Sequence, residues 1–222
     1  MGIHQFHFSI DENGAWESIR AMGSALQTTG PTALDPFGHA SYTLIRPLFS
    51  WRRIYRVYGA DGRLAAFVEQ PWFRLRTELI LYADEDQTQP ILVIKNRRFA
   101  AVNMEHDLFD ALSGVRLGVL RTRGLRSLFR DTWDILDASE RPAGIMIEDG
   151  AYFWRRLLKI LPGRHRIELG GREVARITQV FHFFQREFEL DLLDVEDPIE
   201  PRFAIACALV AMMADLRREN RE

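Results

Sequence analysis

Cysteine is almost missing from this chain: Cys207 is the single one among 222 residues. That excludes an intramolecular disulfide framework and fits a reducing compartment. Lysine is nearly as scarce. Lys95 and Lys159 are the only lysines among 29 basic residues, so the positive charge is carried by arginine. The guanidinium fork suits phosphate and carboxylate, although a GC-rich coding bias would leave the same composition. A strong charge imbalance is missing too. The formal net charge is -2 and the pI about 6.3, which argues against a bulk nucleic-acid binder, so no nucleic-acid partner is expected. The longest apolar run, Phe203 to Ala214, has twelve residues, short of the roughly 18 that a membrane-spanning helix needs. No basic stretch followed by an apolar one opens the sequence, so no secretory signal is expected. These absences lead us to expect a cytoplasmic protein, with peripheral attachment to a membrane left open.

Catalytic signatures are missing as well. There is no Gly-x-Ser-x-Gly elbow, Walker loop, Gly-x-Gly-x-x-Gly fingerprint or His-Glu-x-x-His helix. No catalytic residue, no cofactor and no enzymatic activity are therefore expected. Cys207 lies in the apolar run, where a thiol stays protonated and inert. The six histidines are scattered. His4 and His7 could share a metal only with ligands from elsewhere, and an ordinary terminus is the simpler reading.

What is present divides the chain in two. Residues 1–40 read as an N-terminal arm: Asp11, Glu12 and Asn13 precede a short helix predicted from Ala15 to Leu26. Thr28 to Gly38, rich in Thr, Gly and Pro, reads as an irregular linker. From Ser41 to Leu193 the pattern is a series of hairpins, whose Gly- and Asp-containing turns supply the positive φ that tight turns require. Ile54–Tyr58 turns through Gly59 to Gly62 into Leu64–Val68; Glu78–Tyr82 turns through Asp84 to Asp86 into Ile91–Ile94. Leu108–Leu112 turns at Ser113-Gly114 into Val115–Leu120, and Thr132–Leu136 turns through Asp137 to Pro142 into Ile145–Ile147. Arg166–Leu169 turns at Gly170-Gly171 into Val174–Val180. With Tyr42–Phe49 before and Phe188–Leu193 after, about twelve strands are predicted. Propeller blades, with four strands per ~40–45 residues, are too dense to fit.

After Pro198 and Pro201, which end the last strand, residues 203–216 form a predicted helix that is apolar on every face and slender with alanine. Such a helix must be surrounded by protein or lipid, and it is too short for lipid. The expected fold is mainly β: a closed antiparallel barrel over 41–222, with the helix 203–216 filling the lumen that twelve strands would otherwise leave. Closure also removes unpaired strand edges.

Hairpins of the form Ile-Tyr-x-x-Tyr-Gly-Ala-Asp-Gly-Arg-Leu-Ala (54–65), repeated and finished by an apolar helix (203–216), resemble the tubby C-terminal-like superfamily. Its nearest branch is the phospholipid scramblase and LURP-one-related proteins. Over roughly residues 41–218 the resemblance implies a twelve-stranded barrel around a central C-terminal helix. Members of that superfamily include phosphoinositide-binding regulators and calcium-responsive membrane proteins. Two departures stand out. The acidic segment Asp191 to Glu200 precedes a helix shorter than that of scramblases, and the lysine-arginine pair of the tubby phosphoinositide site has no counterpart here.

Two candidate sites follow. Asp191, Asp194, Glu196 and Asp197 could offer oxygens to calcium, but they lack the loop spacing for it; carboxylates before a helix also stabilise its positive end. The second is cationic. Connectors between hairpins mix arginine with aromatics, as in Trp51-Arg52-Arg53, Trp72-Phe73-Arg74-Leu75-Arg76 and Arg97-Arg98-Phe99; Arg121 to Arg130 and Phe153-Trp154-Arg155-Arg156 repeat the mixture. Arg52, Arg53, Arg74, Arg76, Arg97 and Arg98 are the candidates for an anionic-phospholipid surface, if several connectors share one rim. Otherwise each arginine snorkels over an aromatic cap or pairs with an acid. The expected function is a non-enzymatic binding module for an anionic phospholipid or membrane surface. The alternative is a regulatory scaffold for a protein partner, with no lipid role.

Overall fold

The computed structural model describes residues 35–70, 78–98, 104–122, 132–149 and 163–219. The predicted helix 15–26 and most of the linker 28–38 lie outside these residues. The first six strands are β1 (Ser41–Pro47), β2 (Arg53–Gly59), β3 (Leu64–Gln70), β4 (Glu78–Tyr82), β5 (Pro90–Arg98) and β6 (Glu105–Asp110). β7 (Arg116–Thr122), β8 (Thr132–Leu136), β9 (Pro142–Glu148), β10 (Arg164–Leu169), β11 (Arg172–Phe181) and β12 (Gln185–Leu192) follow, and a single described helix, α1 (Pro201–Glu219), ends the fold. Each strand pairs antiparallel with its neighbours in sequence, and β1 pairs with β12 from Ser41↔Asp191 to Pro47↔Gln185, closing a twelve-stranded barrel. The expected fold class is therefore the observed one.

The strands alternate as a half-buried sheet must. Tyr42 and Leu44 of β1, Tyr55 and Val57 of β2, Leu92 and Ile94 of β5, and Phe188 and Leu190 of β12 are buried in one cluster with α1. All eleven residues from Phe203 to Met213 are buried, on every side of the helix. No one-sided packing does this; only a surrounding wall does. The small side chains of Ala204, Ala206, Ala208 and Ala211 let that wall approach.

The helix begins earlier than the sequence suggests. Pro201, read there as a strand terminator, is the first helical residue, where a missing N–H costs nothing and φ is already helical. Glu200 caps the turn: its carboxylate accepts the Phe203 N–H at 2.7 Å, and its carbonyl accepts the Ala204 N–H at 3.0 Å. Arg202 then donates to Glu200 at 2.6 Å and to Asp110, at the end of β6. Burial opposes ionisation of Asp110, yet donation from Ser113 and from Arg202 holds its carboxyl below the usual range. The Phe203 ring lies on Gly118, where a Cβ would sit 2.7 Å from Phe203 Cε2 and 2.6 Å from the Leu136 carbonyl oxygen.

Glycines take positive φ in three of the hairpin turns, as expected, at Gly62, Gly114, Gly170 and Gly171. The two turns without glycine place Gln87 (φ 58°) and Glu140 (φ 62°) there instead. An aspartate holds each: Asp84 accepts the N–H groups of Thr88 and Gln89, both at 2.9 Å. Asp137 accepts those of Ser139 at 2.8 Å and Arg141 at 2.9 Å.

In such a meander, successive connections alternate between the two mouths of the barrel. The turns that follow β2, β4, β6, β8 and β10, the start of β1, the end of β12 and the start of α1 lie at one mouth, here called the turn mouth. The strand ends joined by the other connections lie at the opposite, connector mouth: Arg53 is paired with Gln70, Glu78 with Lys95, Arg98 with Glu105, Thr122 with Trp133, and Glu148 with His165.

Candidate functional site

The connector mouth carries two fully described loops, 48–52 between β1 and β2 and 182–184 between β11 and β12. They are neighbours because β1 and β12 close the barrel. The Leu48 N–H donates to the Phe184 carbonyl at 3.0 Å, tying one loop to the other. Within the first loop the Arg52 N–H donates to Ser50 Oγ at 3.2 Å.

Their side chains do the opposite of what aromatic residues normally do. Trp51 is 94% exposed, Phe49 83%, Phe183 79%, Phe184 77% and Phe181 56%. Among the described residues only two other large apolar side chains are exposed, Leu112 and Val115, and both belong to the turn mouth. The Phe49 and Phe184 rings stand 6.3 Å apart, and Phe181 and Phe183 meet edge to face at 5.4 Å. Each such ring offers up to ~150–250 Å² of largely apolar surface, so this mouth leaves uncovered an unusual amount of aromatic area for a soluble monomer.

In sequence, the connections between strands divide by charge. The segments that join strand ends at the connector mouth (48–52, 71–77, 99–104, 123–131, 149–163 and 182–184) contain nine basic and two acidic residues. Those at the turn mouth (35–40, 60–63, 83–89, 111–115, 137–141, 170–171 and 193–200) contain two basic and eleven acidic residues. The net charge of -2 conceals this uneven distribution along the sequence.

The six candidate arginines do not share one setting. Arg52 is well exposed on the 48–52 loop, with Nε 3.6 Å from Glu69. Arg53 follows it at the half-buried start of β2. Arg74 and Arg76 lie outside the described residues, as does the side chain of Arg98, whose backbone ends β5. Arg97 points along the outer wall, where it pairs with Asp107 and, at 2.8 Å, with Glu140. Arg116 joins the same two carboxylates. Donation from Arg97 and then Arg116 lowers the Glu140 carboxyl to about 2. Arg97 thus belongs to a structural network on the wall, and among the described candidates Arg52 and Arg53 lie beside the aromatic loops.

Asp194, Glu196 and Asp197 are exposed at the turn mouth, and Asp191 at the adjoining end of β12. Glu196 stands 3.7 Å from Arg172. Among the described residues no three metal-ligating side chains come together. Cys207 is buried inside the barrel, where burial raises its thiol pKa far above normal. No described helix is long and apolar enough to cross a membrane.

The aromatic loops escape the sequence reading. Phe49 is assigned there to the end of the first strand, and 181–187 falls between two predicted strands. The signal available was the density of Phe-His-Phe-Phe at 181–184 beside a turn.

No family model and no curated protein matches the chain. Among solved structures, the X-ray structure of a protein from Arabidopsis thaliana, AT5G01750, is similar over 85% of this chain and 99% of that one, with 14% identity and a TM-score of 0.46.

Proposed function

We propose that the chain is a non-enzymatic binding module that attaches peripherally to anionic phospholipid at the cytoplasmic face of a membrane. What supports this reading is that the segments joining strand ends at one mouth are rich in arginine in sequence, while the turns at the other mouth are acidic. An anionic surface attracts the first and repels the second, so the barrel docks mouth-on. The resemblance of 54–65 and 203–216 to the tubby-like superfamily, with its scramblase and LURP-one-related branch, agrees with this reading.

Each arginine near the surface contributes up to ~1 kcal/mol. Replacing Arg52, Arg53, Arg74 and Arg76 by Gln should weaken binding by roughly two to three orders of magnitude, at ~1.4 kcal/mol per decade. Co-sedimentation with phosphatidylcholine vesicles, with and without phosphatidylserine or phosphoinositide, tests this. Binding that follows the anionic lipid, falls with salt and falls in the four-arginine variant supports it. Equal sedimentation with neutral and anionic vesicles, or an unaffected folded variant, removes it.

A further inference from the structure

We infer that the loops 48–52 and 181–184 form a wedge that inserts its aromatic rings below the phospholipid headgroups, so that attachment has an apolar component as well as a charged one. The inference rests on the proposed function for its membrane and adds the depth and the residues.

Exposure singles out a bilayer as the occupant. A protein partner would have to offer a separate socket to each ring of Trp51, Phe49, Phe183 and Phe184, all more than three-quarters exposed. The acyl–headgroup boundary is a deformable apolar phase and needs no matching sockets. Phenylalanine supplies apolar area, and tryptophan prefers the boundary itself, where its indole N–H stays near water. Charge points the same way: Arg52 and Arg53 directly follow Trp51, so inserting the rings brings two guanidiniums to phosphate level. The acidic turns, at the far mouth, keep clear of the lipid. The backbone supports the loops from behind, since the Leu48–Phe184 hydrogen bond couples them and Pro47 and Gln185 remain paired in the barrel wall. Insertion therefore removes water from the rings without unfolding a strand.

The test compares the full-length protein with a Phe183→Ser, Phe184→Ser variant on vesicles of phosphatidylcholine and phosphatidylserine. Withdrawing two Phe side chains from an apolar phase should lower partitioning about a hundredfold, with all arginines intact. Wild-type binding should keep a salt-resistant fraction that the variant lacks. The emission component lost in Trp51→Phe should shift to the blue on binding and be quenched by bromine on the acyl chains. The rings are exposed, so an unchanged near-ultraviolet circular dichroism spectrum is expected; Phe49→Ser gives an independent variant if that spectrum changes. Equal binding of wild type and variant, with no bromine quenching, overturns the wedge and leaves surface attachment standing. Absence of binding to any vesicle overturns both. A wild-type dimer that becomes a monomer in the serine variant, without any effect on vesicles, assigns the rings to a self-contact and overturns the wedge.

Discussion

Leu209 lies midway along α1 and is 2% exposed, so substitution there probes whether the helix is enclosed on all sides. Leu209→Ala removes buried methyl and methylene groups and leaves a cavity that a closed wall cannot readily collapse, costing ~2–5 kcal/mol. A domain of ordinary stability, ~5–15 kcal/mol, survives this with a lower urea midpoint and an unchanged slope. Leu209→Asp loses the same packing and also buries a carboxyl among apolar side chains, which adds several kcal/mol if it ionises. It should be unfolded or molten at pH 7. Such a carboxyl escapes part of the penalty by staying protonated, so its folded-state pKa is raised. The variant should therefore be least stable at neutral pH and recover as pH falls toward ~4, while Leu209→Asn shows no such recovery. The assay is urea unfolding from pH 4 to 7, followed by intrinsic tryptophan fluorescence, to which the buried Trp133 contributes. A Leu209→Ala cost below ~1 kcal/mol, or a Leu209→Asp protein as stable as wild type at pH 7, would refute an enclosed helix.

Two further predictions concern the wall. A Cβ at Gly144 would lie 2.0 Å from the Glu168 carbonyl oxygen, and one at Gly118 would meet the Leu136 carbonyl and Phe203; each Gly→Ala should cost ~1–3 kcal/mol or more by overpacking. Unchanged urea midpoints would show that β9–β10 and β7–α1 are looser than described. For Glu140, the folded carboxyl at about 2 lies below its ordinary 4.5, so its contribution is complete above about 4.5 and is lost as pH falls toward 2. Glu140→Gln should accordingly lower the urea midpoint modestly at neutral pH, because exposed pairs are screened, and the two proteins should converge near pH 2. A constant difference across that range contradicts the Arg97–Glu140–Arg116 network.

The strands were legible because each hairpin is a local event: Glu78–Tyr82 and Thr132–Leu136 have the bounds expected from their residues. The helix was legible because apolarity on every face has few physical solutions. Its true start was not, because Pro201 reads equally well as the end of one element and the first residue of the next. Turns closed by Gln87 and Glu140 were placed, but their conformation was hidden, since aspartate hydrogen bonds there replace the glycine signal. The candidate site was less legible for the same reason of range. Arg97 beside Arg98 and Phe99 reads as a cationic connector, yet one of its partners, Glu140, is 43 residues away. Exposure of Phe49 and Phe184 depends on the closure of β1 on β12, which no local pattern reports.

The orientation of the barrel on a membrane is the most direct test of the account. Cys207 is buried and its thiol poorly ionised, so a cysteine introduced at the surface is labelled selectively. An environment-sensitive fluorophore at His182→Cys reports on the connector mouth, and one at Ala60→Cys on the turn mouth. With phosphatidylserine-containing vesicles, the label at 182 should shift to the blue and that at 60 should not change. A response at 60, or equal responses at both positions, would contradict a barrel that meets the membrane with its arginine and aromatic mouth.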